Sequence, residues 1–316
     1  MRRPVLYWPS IGVPWQSYPT ITSRLVAGHS ERAGSAPEAP GNTREAQACG
    51  RGMVDLSDAS GLPLWLDPQQ EALVLAQPLL GLRADPQPRR LLRQVLLDPD
   101  APGPEIPYYK YREVALATDE GVFHEHGVRH DLLLLRAGRV GREFIKTWGH
   151  TASCTEAAQC PEVYGVLHGH ALLLAQQPAE EPTATDGAIR LCDVRWIEAH
   201  PGQKVVVPAD YGVVIVNLGS EPLALSCLVA AEAWPVHLTY ERMHGAAYSV
   251  VARDGTPAAE ANPHYAQPLP PLHEEAPLQA PDVGVVEEMP LYSAFVHHPE
   301  RFAWLREGAP VLHRAC

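Results

Sequence analysis

From Tyr108 onward the chain breaks into short apolar runs, each closed by a glycine or proline turn, and this leaves little room for anything but β-structure. Tyr109, Tyr111, Glu113 and Ala115 alternate with their neighbours. Asp131–Leu135 forms an apolar strand closed by Ala137-Gly138, and Glu162–Leu167 reaches a sharp turn at His168-Gly169. His170–Ala175 returns antiparallel, residues 189–200 give one or two strands, and Lys204–Val207, Val213–Val216 and Leu223–Ala230 follow. Thirty-two prolines and 24 glycines disfavour long helices. Many short strands at this spacing predict a sandwich or a barrel of jelly-roll type.

The flanks read differently. Ser30–Gly52 is rich in small and charged residues and predicts a flexible linker, preceded by an arm carrying Trp8, Trp15 and Tyr18. Gln69–Leu80 is a strand or a short helix. Pro88–Leu97 predicts a helix, with Leu91, Leu92, Val95 and Leu96 at helical spacing and Asp98-Pro99 as its stop. Residues 257–290 are dense in proline and acid, and Pro299 starts a short terminal helix through Phe302, Trp304 and Leu305. The expected organisation is an irregular N-terminal extension with a short helix over 1–105, a β-domain over 106–256 and a proline-rich C-terminal extension over 257–316.

Formal charge is −12, and without a lysine or arginine tract a nucleic-acid partner is not expected. No segment reaches the ~20 apolar residues of a membrane helix, so no membrane partner is expected and the default compartment is the cytoplasm. The six cysteines contain no CxxC pair and demand no disulfide framework. Cys192 and Cys227 read as buried thiols.

Five anchors carry a resemblance. They are Gly127-Val128-Arg129-His130-Asp131-Leu132, the run Gly141 to His150, Glu162-Val163-Tyr164-Gly165-Val166-Leu167-His168-Gly169, Val207-Pro208, and Val216-Asn217-Leu218-Gly219. In this order they resemble the cupin-type glucose-6-phosphate isomerase family. The resemblance implies an all-β fold, a cupin/jelly-roll barrel with irregular N-terminal and C-terminal extensions. It implies a homodimer, a sugar phosphate as ligand, and one divalent metal (iron or manganese) on His-x-His, a following glutamate and a later histidine. Only His150 and Glu162 carry over as metal ligands. The second histidine falls on Ala152 and the later one on Val213, while two protein ligands are fewer than the three or four that usually hold a divalent ion. Cys154 and Cys160, in a lengthened loop, either complete a soft site favouring zinc or are plain loop residues.

The implied chemistry interconverts aldose and ketose sugar phosphates, glucose 6-phosphate and fructose 6-phosphate, through an enediol. That needs a base near two carbons and a positive group for the developing oxyanion. Glu162 suits the base, or it is an inherited carboxylate bonded to a neighbour. His150 is its partner as a metal ligand, as an acid/base group or as a core histidine. The resemblance places Thr147 and Tyr164 at the phosphate, with Lys146 offering a charge beside Thr147, while a second family threonine falls on Leu133. His237 and Tyr240 match the family's pocket histidine and tyrosine with a shift of about two residues, or His237 is a surface histidine after Trp234-Pro235. Arg129 and Asp131 read as a supporting pair, and Tyr111 and Arg112 as residues near the mouth. The alternative to an isomerase is a catalytically inactive cupin that binds a sugar phosphate or serves as an interaction scaffold.

Overall fold

Four consecutive leucines, Leu132–Leu135, run through the middle of the largest sheet, and both of its faces are buried there. The computed structural model describes residues 52–307 apart from 76–78, 82, 156–157, 181–186 and 278–279. The arm carrying Trp8, Trp15 and Tyr18, and nearly all of the Ser30–Gly52 segment, lie outside the described residues. The six strands of this sheet lie in the order Lys204–Val207, Glu162–His168, Leu223–Ala230, Val128–Leu135, Tyr108–Tyr111, Asp85–Gln87, each antiparallel to the next. A four-stranded sheet has the order Gly212–Asn217, Ala171–Pro178, Leu191–Ala199, Leu272–Glu274, the last pairing in parallel.

Period-two alternation sends successive side chains to opposite faces. Tyr164, Val166, Leu133, Leu135, Leu225 and Val229 enter one core, to which the four-stranded sheet adds Leu172–Leu174 and Val213–Val216. Val163, Leu167, Leu132, Leu134 and Leu228 enter a second core. Phe295 and Leu291 of the Leu291–His297 helix, with Phe302 and Leu305 beyond it, complete that second core. Gly165 allows this helix its approach: a Cβ there would stand 3.2 Å from a Leu291 methyl.

The structure is all-β in kind, with several antiparallel sheets, and among the described residues the longest helices, Glu120–His126 and Leu291–His297, have seven residues. No helix among them is long and apolar enough to cross a membrane. The expected barrel is not formed, because every described sheet is open. The reason lies at the edges. The Asp85–Gln87 edge is exposed and contains Pro86, which has no N–H to extend a ladder. The opposite edge meets the C-terminal segment, where Lys204 Nζ donates to the Glu287 carbonyl at 2.6 Å. The four-stranded sheet ends on Leu272–Glu274. On its other side, among the described residues, isolated bridges rather than a further strand of the sheet, Lys146–Val216 and His150–Val213, meet Gly212–Asn217. The Pro88–Leu97 helix is shorter than its pattern, with one α-turn over Arg89–Leu92 and a 3-10 turn over Arg93–Val95. Gln69–Leu80 resolves into strands Ala72–Leu75 and Leu79–Leu80.

Candidate active site

Neighbouring residues of paired strands point the same way, so the sheet's register assembles the site. Glu162 lies opposite Val229, which lies opposite Arg129; Tyr164 lies opposite Cys227, which lies opposite Asp131. One strand further, Lys110 lies opposite Leu133. Lys110, Arg112, Arg129, Asp131, Glu162, Tyr164 and Cys227 therefore share a face, and all of them line one cleft. Its opposite wall is made by His150, Ala152, Ala233 and the start of the Trp234–Val236 strand. The cavity is about 50 Å³.

His150 arrives from outside the sheet. Gly149, at φ 90°, turns the chain, and His150 then forms a two-bond bridge with Val213. Its Nε2 stands 3.2 and 3.1 Å from the two carboxylate oxygens of Glu162. Burial alone would raise the Glu162 pKa. The charge of His150, hydrogen bonds from His150 and Tyr164, and Arg129 outweigh burial and hold the carboxyl below its ordinary value. Burial first, then the Glu162 charge, push the Tyr164 phenol and the Cys227 thiol well up. Glu162 is thus an ionised carboxylate held by a phenol donor and an imidazole.

The cations differ in how far they are committed. Arg129 donates to Asp131 at 2.9 Å and to the Ala231 and Ala233 carbonyls at 3.0 Å, which ties the cleft wall to the sheet. Arg112 faces Asp131 at only 3.9 Å and is 42% exposed. Lys110 makes no hydrogen bond or ion pair among the described residues, and its Nζ lies 5.9 Å from the Tyr108 ring centre. Burial, and then Arg112, lower its pKa to about 8, while Asp85, Asp131 and Glu162 pull upward. Lys110 escaped the sequence reading because it sits in Tyr-Tyr-Lys-Tyr with no motif around it. The available signal was parity with Tyr108 on a strand that pairs with Leu133.

Other expected residues are placed elsewhere. Lys146 is buried outside the cleft, donating to Glu143 and to the Val95 carbonyl at 2.6 Å, so its charge is neutralised inside the protein. Thr147 is also buried, and its hydroxyl accepts from Ile215 N–H at 3.0 Å. Tyr240 is fully buried against Gly149 and Gly212, with a hydroxyl lacking any partner among the described residues. These three do not reach the cleft. His237 stands behind it: Nδ1 donates to the Gly149 carbonyl at 2.6 Å, the ring stacks on Trp148, and its centre is 6.2 Å from that of His150. Burial first, then the charges of His150 and Lys110, lower its pKa to about 4. Of the expected site residues the cleft gathers Glu162, His150 and Tyr164. It also includes Arg112, Arg129 and Asp131.

Cys154 and Cys160 form a disulfide with Cα atoms 5.7 Å apart, which corrects the expectation of no disulfide framework. Cys227 is a buried free thiol, whereas Cys192 is half-buried and disulfide-bonded.

The family model described as Glucose-6-phosphate isomerase (GPI) matches residues 98–267, more than half of the chain. The chain belongs to this family. The glucose-6-phosphate isomerase of Pyrococcus abyssi is 35% identical over 100 residues, covering 32% of this chain and 45% of that relative. That of Pyrococcus horikoshii is 30% identical over 132 residues, covering 39% and 62%. That of Thermococcus litoralis is 31% identical over 132 residues, covering 42% and 61%. The chain thus spans roughly half the length of the curated relatives it matches. Among solved structures, vicilin from Capsicum annuum shares 13% identity over 40% of this chain and 29% of that one, with a TM-score of 0.26, too low to decide anything.

The metal implied by the resemblance finds a poor set of donors. His150 and Glu162 are two ligands, and Ala152 lines the cleft with a methyl group. Val213, the bridge partner of His150, is buried hydrocarbon. The disulfide removes both nearby thiolates, and no group of three metal-binding side chains gathers among the described residues. These residues do not fit a tightly held divalent ion.

Proposed function

We propose that the chain is a sugar isomerase interconverting glucose 6-phosphate and fructose 6-phosphate through an enediol, with Glu162 as the base. The observation that carries the reading is the Glu162 carboxylate, ionised in a cleft lined by three further cations and held by His150 and Tyr164. Such a carboxylate can take the proton from one sugar carbon and return it to the next without leaving its place. His150 fixes the carboxylate's orientation. Arg112, exposed and only loosely paired, is the group best placed to meet the substrate's phosphate. The family resemblance extends the reading to a cytoplasmic homodimer.

Small-molecule sites usually measure about 300–1,000 Å³, and this cavity is about 50 Å³. The hexose phosphate therefore requires the cleft to widen, and the wall carrying Trp234 and Pro235 is the part outside the main sheet. The alternative is an inactive protein that binds a sugar phosphate or serves as an interaction scaffold, and the narrow cavity favours the scaffold. A coupled assay for fructose 6-phosphate formation separates them. Turnover in the wild type that Glu162→Gln lowers by ~10³-fold supports the isomerase. Calorimetric binding of glucose 6-phosphate without turnover supports the binder, and neither supports the scaffold.

A further inference from the structure

We propose that Lys110 is a catalytic residue of the isomerisation, the cation and proton donor that meets the oxygen at which negative charge develops. The inference rests on the isomerase reading. Removing a proton next to a carbonyl leaves charge on that oxygen, and a positive group must stand ready for it. The donor set does not fit a metal ion in that task, so the group must come from the cleft's own side chains. Arg129 is committed to Asp131 and two backbone carbonyls. Arg112 is exposed, partly paired with Asp131, and never gives up a proton in a protein. Lys110 has no such commitment among the described residues, and it shares the cleft and the sheet face with Glu162.

The proton balance closes without any co-reactant. Glu162 takes the C2 proton of the aldose while Lys110 gives a proton to O1, leaving a neutral enediol, a protonated Glu162 and a neutral amine. The O2 hydroxyl then returns a proton to Lys110 as the C2–O2 double bond forms, and Glu162 delivers its proton to C1. A lysine with a pKa of about 8 is charged at neutral pH, yet gives up its proton far more readily than an ordinary lysine. The groups that face it are Asp85, Arg112, Asp131, Glu162 and the His237 ring.

The test uses the full-length protein after dialysis against a chelator, with Lys110→Met and Lys110→Arg assayed beside Glu162→Gln. The wild type is expected to turn over without added metal. Lys110→Met should lose ~10²–10³-fold in kcat with a smaller change in KM. Lys110→Arg should keep the charge but not the proton transfer, and recover only part of the rate. The wild-type kcat/KM should fall above pH ~8, a limb that moves away in Lys110→Arg. Melting curves check both folds, and if Lys110→Met does not fold, the arginine variant and the alkaline limb decide. An active Lys110→Met beside an inactive Glu162→Gln overturns the lysine's role and leaves the isomerase reading standing. A wild type that needs added metal does the same. A wild type without turnover under any condition overturns both.

Discussion

A carboxylate buried beside its partners is only as reactive as those partners permit, and Glu162 shows the balance. The shift below its ordinary pKa keeps it ionised across neutral pH. The acid limb belonging to Glu162 should therefore lie below pH ~4.3, the free glutamate value, apart from the substrate phosphate's own ionisation near pH ~6; a kcat/KM profile from pH 3.5 to 7 checks this. Glu143 and Lys146 form a second buried pair, 1% and 5% exposed, away from the cleft. Glu143→Ala should cost ~3–5 kcal/mol in urea unfolding, because it leaves the buried Lys146 without its carboxylate and with only the Val95 carbonyl to accept from it. The family resemblance singled out Glu162, His150 and Tyr164, and a period of two along the strand keeps Glu162 and Tyr164 on one face. The resemblance misplaced Lys146 and Thr147, since the motif Lys-Thr-Trp-Gly-His names a segment and not the direction in which each side chain leaves it. Lys110 was invisible because its meaning depends on its partner strand, Val128–Leu135, where it lies opposite Leu133.

Among the elements, the hairpin of the Thr151–Thr155 and Ala158–Gln159 strands is closed by a covalent bond, the Cys154–Cys160 disulfide. The resulting loop is short, so its loss should cost only ~2 kcal/mol. Cys154→Ser with Cys160→Ser is expected to lower the melting temperature modestly, and the wild type under reductant should fall further, since the bond at Cys192 is reduced as well. The strands from Val128 to Ala230 were legible because runs of β-branched and apolar residues between glycine turns have few other uses. The disulfide was not, since a spacing of six residues says nothing until a hairpin folds the two cysteines together. That the sheets stay open was not legible either: closure depends on what the edge strands meet, and that is fixed by Pro86 and by chain near Glu287, far outside the strand pattern.

On the scale of the whole molecule, one sheet divides two cores, and residues 291–307 cap one of them. A chain ending at residue 289 should fail to fold, and Phe295→Ala alone should cost ~3–5 kcal/mol, measured by denaturant midpoint. Acid should weaken the fold as well. Burial lowers the pKa of His130, and that of His237 to about 4, so both prefer to be neutral when folded. Both contributions are present above the unfolded value of about 6.5 and are lost as pH falls below it, that of His237 through about 4. Urea midpoints at pH 7 and 4.5 should differ, and His237→Gln should narrow the gap. The dividing sheet also governs how the chain can change in length. Adding or deleting one residue within Glu162–His168 would turn Glu162 and Tyr164 into the hydrocarbon behind them and bring Val163 into the cleft. Growth is free only where no strand has to keep count, as at the hairpin between His150 and Glu162. Descent with insertion should therefore be recorded at the strand ends, in loops whose length varies while the parity of the residues between them does not.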